Sequence, residues 1–145
     1  MMLYNLAMRC YAMGIGLLAL WDPKVRRLRF GQRESTIRLK TGWWLTGEAP
    51  LELIWIHCAS LGEFEMAKPI AAALQAASSQ RHILFTFFSP SGYENSTMGF
   101  NQSKAYLPLD SPGSAKRCLG QWNPSVAIFI RYDFWYHFIY QILKH

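Results

Sequence analysis

The sequence predicts an α/β domain built in three layers, with a parallel sheet covered by helices on both faces. Two observations carry that expectation. Short, nearly continuous apolar runs recur at 51–58, 82–88 and 125–131, as expected of strands buried on both sides. Between them lie segments of helical periodicity, and such alternation implies crossover connections and parallel pairing. A chain of 145 residues suffices for one domain, burying roughly two-thirds of its unfolded surface without a disulfide or metal staple. Hydrophobic and aromatic fractions of 51% and 15% exclude intrinsic disorder.

Each element follows from local chemistry. After a loop marked by Gly42, Gly47 and Pro50, residues 51–58 (LELIWIHC) make the first strand. Residues 59–62 form a tight turn. Glu63 then opens a helix carrying Met66, Ala67, Ile70, Ala71, Leu74 and Ala77 at helical spacing, ended by Ser78-Ser79-Gln80. Residues 82–88 (HILFTFF) form the second strand, closed by Ser89-Pro90-Ser91-Gly92, and 93–98 read as a short helix. Residues 105–109 (AYLPL) are a weaker third strand, because Pro108 suits only an end or an edge. Pro112 belongs in the first turn of a helix over 113–119. Residues 125–131 (SVAIFIR) give the fourth strand and 132–143 a final helix. That helix is apolar on every side, which normally means burial all round. With so little sequence after it, cover from a partner or from further chain is expected.

The net charge of +6 is concentrated. Residues 23–40 hold seven basic side chains (Lys24, Arg26, Arg27, Arg29, Arg33, Arg38 and Lys40) against Glu34 alone, and the rest of the chain is neutral. Before this basic collar, residues 1–21 are apolar except for Asn5 and Arg9. The uncharged run 10–21 is shorter than the roughly 18–20 residues a helix needs to span a bilayer. A signal peptide fits poorly, because Arg9 is the only early positive charge and no small-x-small site precedes Asp22. Residues 1–22 therefore read as a membrane-associating helix, lying at the interface or inserted deeply, with an amphipathic helix packed on the domain as the alternative. Trp21, Lys24, Arg26, Arg27 and Arg29 are its expected contacts with an anionic surface. The chain thus divides into 1–22, a collar and linker at 23–49, and the α/β domain at 50–145. Nucleic acid is disfavoured, since Phe30 is the only aromatic residue between Lys24 and Lys40.

Cys10, Cys58 and Cys118 show neither disulfide nor CxxC spacing, which favours a reducing compartment and a structural role for Cys58. In an open α/β sheet, ligands bind at the carboxyl ends of the strands. Four such places can be read: Ser60 to Glu63, Ser89 to Gly92, Leu109 to Pro112 and Arg131 to Trp135. Glu63 either complements a helix N-terminus or acts as a general base, with Gly62 allowing an acceptor hydroxyl to approach. No GxGxxG follows a strand and no GxxxxGK[ST] occurs, so Ser89, Ser91 and Gly92 remain as a phosphate cradle or a helix cap. Asp133 and His137, one helical turn apart, lack a third metal ligand. Asp133 reads better as an acid at a helix start.

Taken together, MLYNLAMRCYAMGIGLLALWDPKVR, IWIHCASLGEFE, ILFTFFSPSGYE, YLPLDSP and AIFIRYDFW resemble the N-terminal half of the 3-deoxy-D-manno-octulosonic acid (Kdo) transferases of Gram-negative bacteria. The resemblance covers nearly the whole chain. It implies the Rossmann-like N-terminal domain of a GT-B glycosyltransferase, preceded by a membrane-associating segment at the cytoplasmic face of the inner membrane. It further implies transfer of Kdo from CMP-Kdo to lipid IVA, with no cofactor and no metal. Glu63 falls in the family's S-x-G-E motif as general base, with Ser60, Gly62, Ser89, Ser91 and Gly92 around the acceptor. The family's second acid, in an E-[FL]-W-P context, corresponds to Asp133-Phe134-Trp135-Tyr136, with a shorter acid and no proline. The donor half of such an enzyme has no counterpart here, so little or no transferase activity is expected from this chain alone. A different class of function, a non-catalytic membrane-bound interaction module using the aromatic helix, predicts that Glu63 is dispensable.

Overall fold

The computed structural model describes residues 2–40 and 52–144; residues 41–51, with Gly42, Gly47, Pro50 and Leu51, and the side chains of residues 36–40, Arg38 and Lys40 among them, lie outside what it describes. Its elements are α1 (Met2–Leu18), α2 (Pro23–Lys40), β1 (Glu52–Cys58), α3 (Leu61–Ala77), β2 (Arg81–Phe87), α4 (Pro90–Asn95), β3 (Gln102–Tyr106), α5 (Pro112–Trp122), β4 (Val126–Phe129) and α6 (Tyr136–Ile142). The four strands form one sheet in the order β3-β2-β1-β4, and every pairing is parallel.

Strand periodicity sorts the core into two layers. Ile54, Ile56 and Cys58 of β1 join Ile83, Phe85 and Phe87 of β2 beneath Phe64, Ala67 and Ala71 of α3. Leu53 and Trp55 face the other way, with Leu84, against Ala115, Cys118, Leu119 and Trp122 of α5 and Phe138 of α6. The two-sided covering explains the unbroken apolar runs in the sequence. The stripe of α3 is narrower than expected. Met66 and Ile70 lie on its outer face, and Phe64 takes their place inward.

Helix α3 starts two residues before Glu63 and α5 runs on to Trp122, three residues past its expected end; three further departures have reasons that lie in side-chain partners or a backbone turn. The third strand starts earlier, because its polar residues are satisfied by neighbours: Gln102 donates to Gln75, Ser103 pairs with His82, and Lys104 donates to the Tyr93 and Ser96 carbonyls. The short helix expected at 93–98 begins instead at Pro90, where the Ser89 hydroxyl accepts from Gly92 N–H. The last helix begins four residues late, at Tyr136. Arg131 has φ 65°, a left-handed turn that breaks the chain path, and the Asp110 carboxylate accepts from His137 and Phe138 N–H at the true start. Nor is α6 bare. Phe138 packs against Trp55 and Trp122, while Tyr132, Phe134 and Leu143 are exposed.

The basic collar is a helix laid on the sheet. Gln32 of α2 donates to the Leu107 carbonyl, and the Ser35 hydroxyl accepts from Tyr106 N–H. Gly31 allows this approach: a Cβ there would sit 2.2 Å from the Tyr106 ring. Side chains thereby satisfy part of the β3 edge that a further strand would otherwise pair with. Helix α1 is also docked. Tyr4 donates to Asp110 at 2.6 Å, Asn5 meets His137 at 2.6 Å, and Ile15 and Ala19 are buried. Leu3, Leu6, Cys10, Met13 and Leu17, at helical spacing, form an exposed apolar stripe on the opposite side. No helix among the described residues is long and apolar enough to cross a membrane.

Candidate functional site

The carboxyl ends of β1, β2 and β4 bring together most of the residues singled out from sequence. Helix α3 starts at Leu61, two residues before Glu63, with Ser60 as its N-cap. The Glu63 carboxylate accepts from Ser60 N–H at 3.1 Å, forming a capping box. This fixes the acid on the first turn, where the helix dipole favours its negative charge. Gly62 is exposed and a Cβ there would meet nothing within 4 Å, so the surface beside Glu63 is open. Burial, and secondly the charge of Glu63, push the Cys58 thiol up to about 12, which makes it inert at neutral pH.

The loop after β2 is stitched to this turn. Ser89 N–H donates to the Ala59 carbonyl at 2.9 Å. A Cβ on Gly92 would lie 2.8 Å from the Phe87 ring and 3.1 Å from the Ser60 carbonyl carbon, so glycine is what lets α4 close on Ser60 and Leu61. The Ser89 hydroxyl caps α4 and contacts the Ser91 hydroxyl at 3.2 Å. Both serines therefore sit on the loop that Ser89 N–H ties to Ala59, next to the turn that carries Ser60.

After β4, the Asp133 carboxylate reaches Nε2 of His57 at 3.0 Å. His57 is wholly buried near the end of β1, and its Nδ1 lies 2.9 Å from the Thr86 hydroxyl and 3.1 Å from the Thr86 carbonyl. The Trp55 indole donates to that same hydroxyl at 2.7 Å, and the Trp135 indole N–H points at Nε2 from 3.3 Å. The sequence reading missed His57. Its signal was a polar residue inside an apolar strand, visible at the carboxyl end but overshadowed by the neighbouring cysteine. Asp133 and His137 do not converge: one turns to His57 and the other to Asn5. Among the described residues no three His, Cys, Asp or Glu side chains are grouped to hold a metal.

Helix α1 runs beside this edge. Burial and then the charge of Asp133 raise the Tyr11 hydroxyl's pKa, and the Tyr4 ring lies tilted against Tyr136 and edge-on to His137. At the far end, Gly16 of α1 and Ala19 and Leu20 in the turn after it form a groove of about 380 Å³ with Arg26, Arg29, Phe30 and Arg33 of α2. Trp21 is 76% exposed, and Lys24 is also at the surface. Arg27 is spent differently, pairing with Glu94 at 3.2 Å, and the Arg29 guanidinium donates to the Gly16 carbonyl.

Residues 26–145 match the family model described as 3-Deoxy-D-manno-octulosonic-acid transferase (kdotransferase). Fold and match together define the N-terminal α/β domain of a glycosyltransferase. The chain belongs to the Kdo transferase family. It is 33% identical over 133 residues to 3-deoxy-D-manno-octulosonic acid transferase of Haemophilus influenzae, covering 88% of this chain and 29% of that protein. It is 36% identical over 84 residues to the Aquifex aeolicus enzyme of the same name, covering 57% of this chain and 23% of that one. A probable mitochondrial 3-deoxy-D-manno-octulosonic acid transferase of Arabidopsis thaliana is 29% identical over 129 residues, 88% of this chain and 29% of its own. The chain thus spans under a third of the length of these relatives. No solved structure matches it.

Proposed function

We propose that this chain forms the acceptor-side domain of a GT-B glycosyltransferase that moves Kdo from CMP-Kdo to lipid IVA at the cytoplasmic face of a bacterial inner membrane. The observation that carries the reading is Glu63, a carboxylate fixed on the first turn of α3 beside an open glycine at the sheet's carboxyl edge. In the reaction, Glu63 takes the proton of the acceptor sugar hydroxyl as its oxygen attacks the anomeric carbon of Kdo. The bond from that carbon to the phosphate of CMP breaks, and CMP leaves with the electron pair. Asp133 serves as a second acid, and Ser60, Gly62, Ser89, Ser91 and Gly92 line the acceptor's path. Most of the CMP-Kdo site belongs to a C-terminal domain, as the length of the relatives supports.

The apolar stripe of α1, together with Trp21, Lys24, Arg26 and Arg29, rests on an anionic membrane. An interfacial helix with its apolar face outward and cations alongside suits that surface. In flotation, the chain should rise with phosphatidylglycerol vesicles and stay behind with phosphatidylcholine. Replacing both Arg26 and Arg29 by Glu should abolish the difference. For the acceptor, lipid IVA micelles should shift the amide resonances of Ser60 to Glu63; unchanged spectra would sink the reading. Alone, the chain should transfer no Kdo. Joined to the C-terminal part of the Haemophilus influenzae relative it should do so, and Glu63→Gln should lower that rate about 10²–10⁴-fold.

A further inference from the structure

We propose that His57 is a positioning residue that holds Asp133, through a buried chain of hydrogen bonds, with one carboxylate oxygen free at the acceptor edge. The proposal rests on the reading of that edge as the acceptor site. Asp133 has no proton to give when ionised, so the His57 nitrogen it touches at 3.0 Å must carry the hydrogen. The other end of the ring meets Thr86, which offers both a hydroxyl and a carbonyl. Because the Trp55 indole already donates to the Thr86 hydroxyl, that hydroxyl's own proton is available to Nδ1 of a neutral ring. If the ring is doubly protonated, the Thr86 carbonyl accepts from Nδ1 instead. In both states the ring's contacts with Thr86 and Asp133 are matched without moving a heavy atom, with Nε2–H aimed at Asp133 Oδ2 in competition with the Trp135 indole N–H, which lies 3.3 Å from the same nitrogen.

The arrangement suits a carboxylate on an irregular segment. Asp133 follows the left-handed Arg131, precedes α6 and keeps 30% of its side chain exposed. Without a partner it would be free to rotate. His57, wholly buried on the inner strand β1, ties one oxygen to the core of the sheet. The other oxygen is left to accept a hydrogen bond from a sugar hydroxyl. A shorter acid at this position is thus compatible with a fixed location, because the histidine reaches out to it.

The Trp135 indole makes the idea testable. It can only donate, and it lies 3.3 Å from Nε2. Removing the carboxylate by Asp133→Ala leaves Trp135 facing that nitrogen, so the ring proton should move to Nδ1 and donate to the Thr86 carbonyl. Long-range proton–nitrogen NMR of the chain should show Nε2–H in the wild type and Nδ1–H in the variant. A bare Nε2 in the wild type, or an unchanged ring in Asp133→Ala, overturns the proposal. A second measurement uses lipid IVA micelles as the probe. Asp133→Ala and His57→Phe should each weaken binding about tenfold, the ~1.4 kcal/mol of one lost hydrogen bond to a charged group. His57→Gln keeps an N–H donor and should restore most of the affinity. Wild-type affinity in a folded His57→Phe protein overturns the positioning role. If the ring proton moves as described but no variant or wild type binds lipid IVA, the acceptor reading fails and the positioning role falls with it.

Discussion

Asp110 shows how much one side chain can hold. Its carboxylate is 1% exposed and accepts from the Tyr4 hydroxyl and from two backbone N–H groups, His137 and Phe138. Asp110→Ala leaves those donors without partners, and urea denaturation should show a loss of about 3 kcal/mol. Tyr4→Phe removes one bond only and should cost about 1 kcal/mol. Two glycines make a second contrast. A methyl at Gly92 collides with Phe87 and the Ser60–Leu61 backbone, whereas one at Gly62 meets nothing. Gly92→Ala should therefore destabilise by about 2 kcal/mol, and Gly62→Ala should leave the melting temperature unchanged or slightly raised while hindering acceptor binding. Glu63 and Gly92 could be picked out in the sequence because glycine and a helix-start acid have local signatures. The partners of His57 and Asp110 could not be read, since they lie far away along the chain.

At the scale of elements, legibility followed burial. Strands β1 and β2 are covered on both faces, so apolar runs declared them within a residue or two. Strand β3 lies at the edge of the sheet and begins with Gln102, Ser103 and Lys104, whose polarity hid its start. Helix α6 is shorter than its apolar composition implies, because its start is set by the left-handed turn at Arg131 and the Asp110 carboxylate. The β2–β3 pairing also carries a pH dependence. Burial lowers the pKa of His82, which contacts the Ser103 hydroxyl. The unfolded chain then binds its proton more readily than the native one. Stability is complete above the unfolded value of about 6.5 and falls as pH drops below it. Melting temperatures between pH 8 and pH 5 should decline in the wild type, and less steeply in His82→Gln.

For the whole molecule, the α/β architecture and the family were readable from ordered motifs, but the arrangement of the first 40 residues was not. The sequence offered α1 as either a membrane helix or a helix packed on the domain. The structure shows it packed through one face with an apolar stripe left outside. Helix α2, expected as a collar, became a cover for the edge of the sheet through Gln32 and Ser35. Replacing both by Ala should cost about 2 kcal/mol, at roughly 1 kcal/mol per lost bond, measurable by the same denaturation.

The ties from Tyr4 and Asn5 to Asp110 and His137 have a geometric consequence. They fasten one end of a rod about 25 Å long to the loop after β3 and to the first turn of α6. Whatever plane meets the rod's outer stripe, its tilt relative to the strands is then set by the protein rather than by diffusion. The distance from that plane to Glu63 becomes a property of the fold, as the reach of a crane is set by where its boom is bolted.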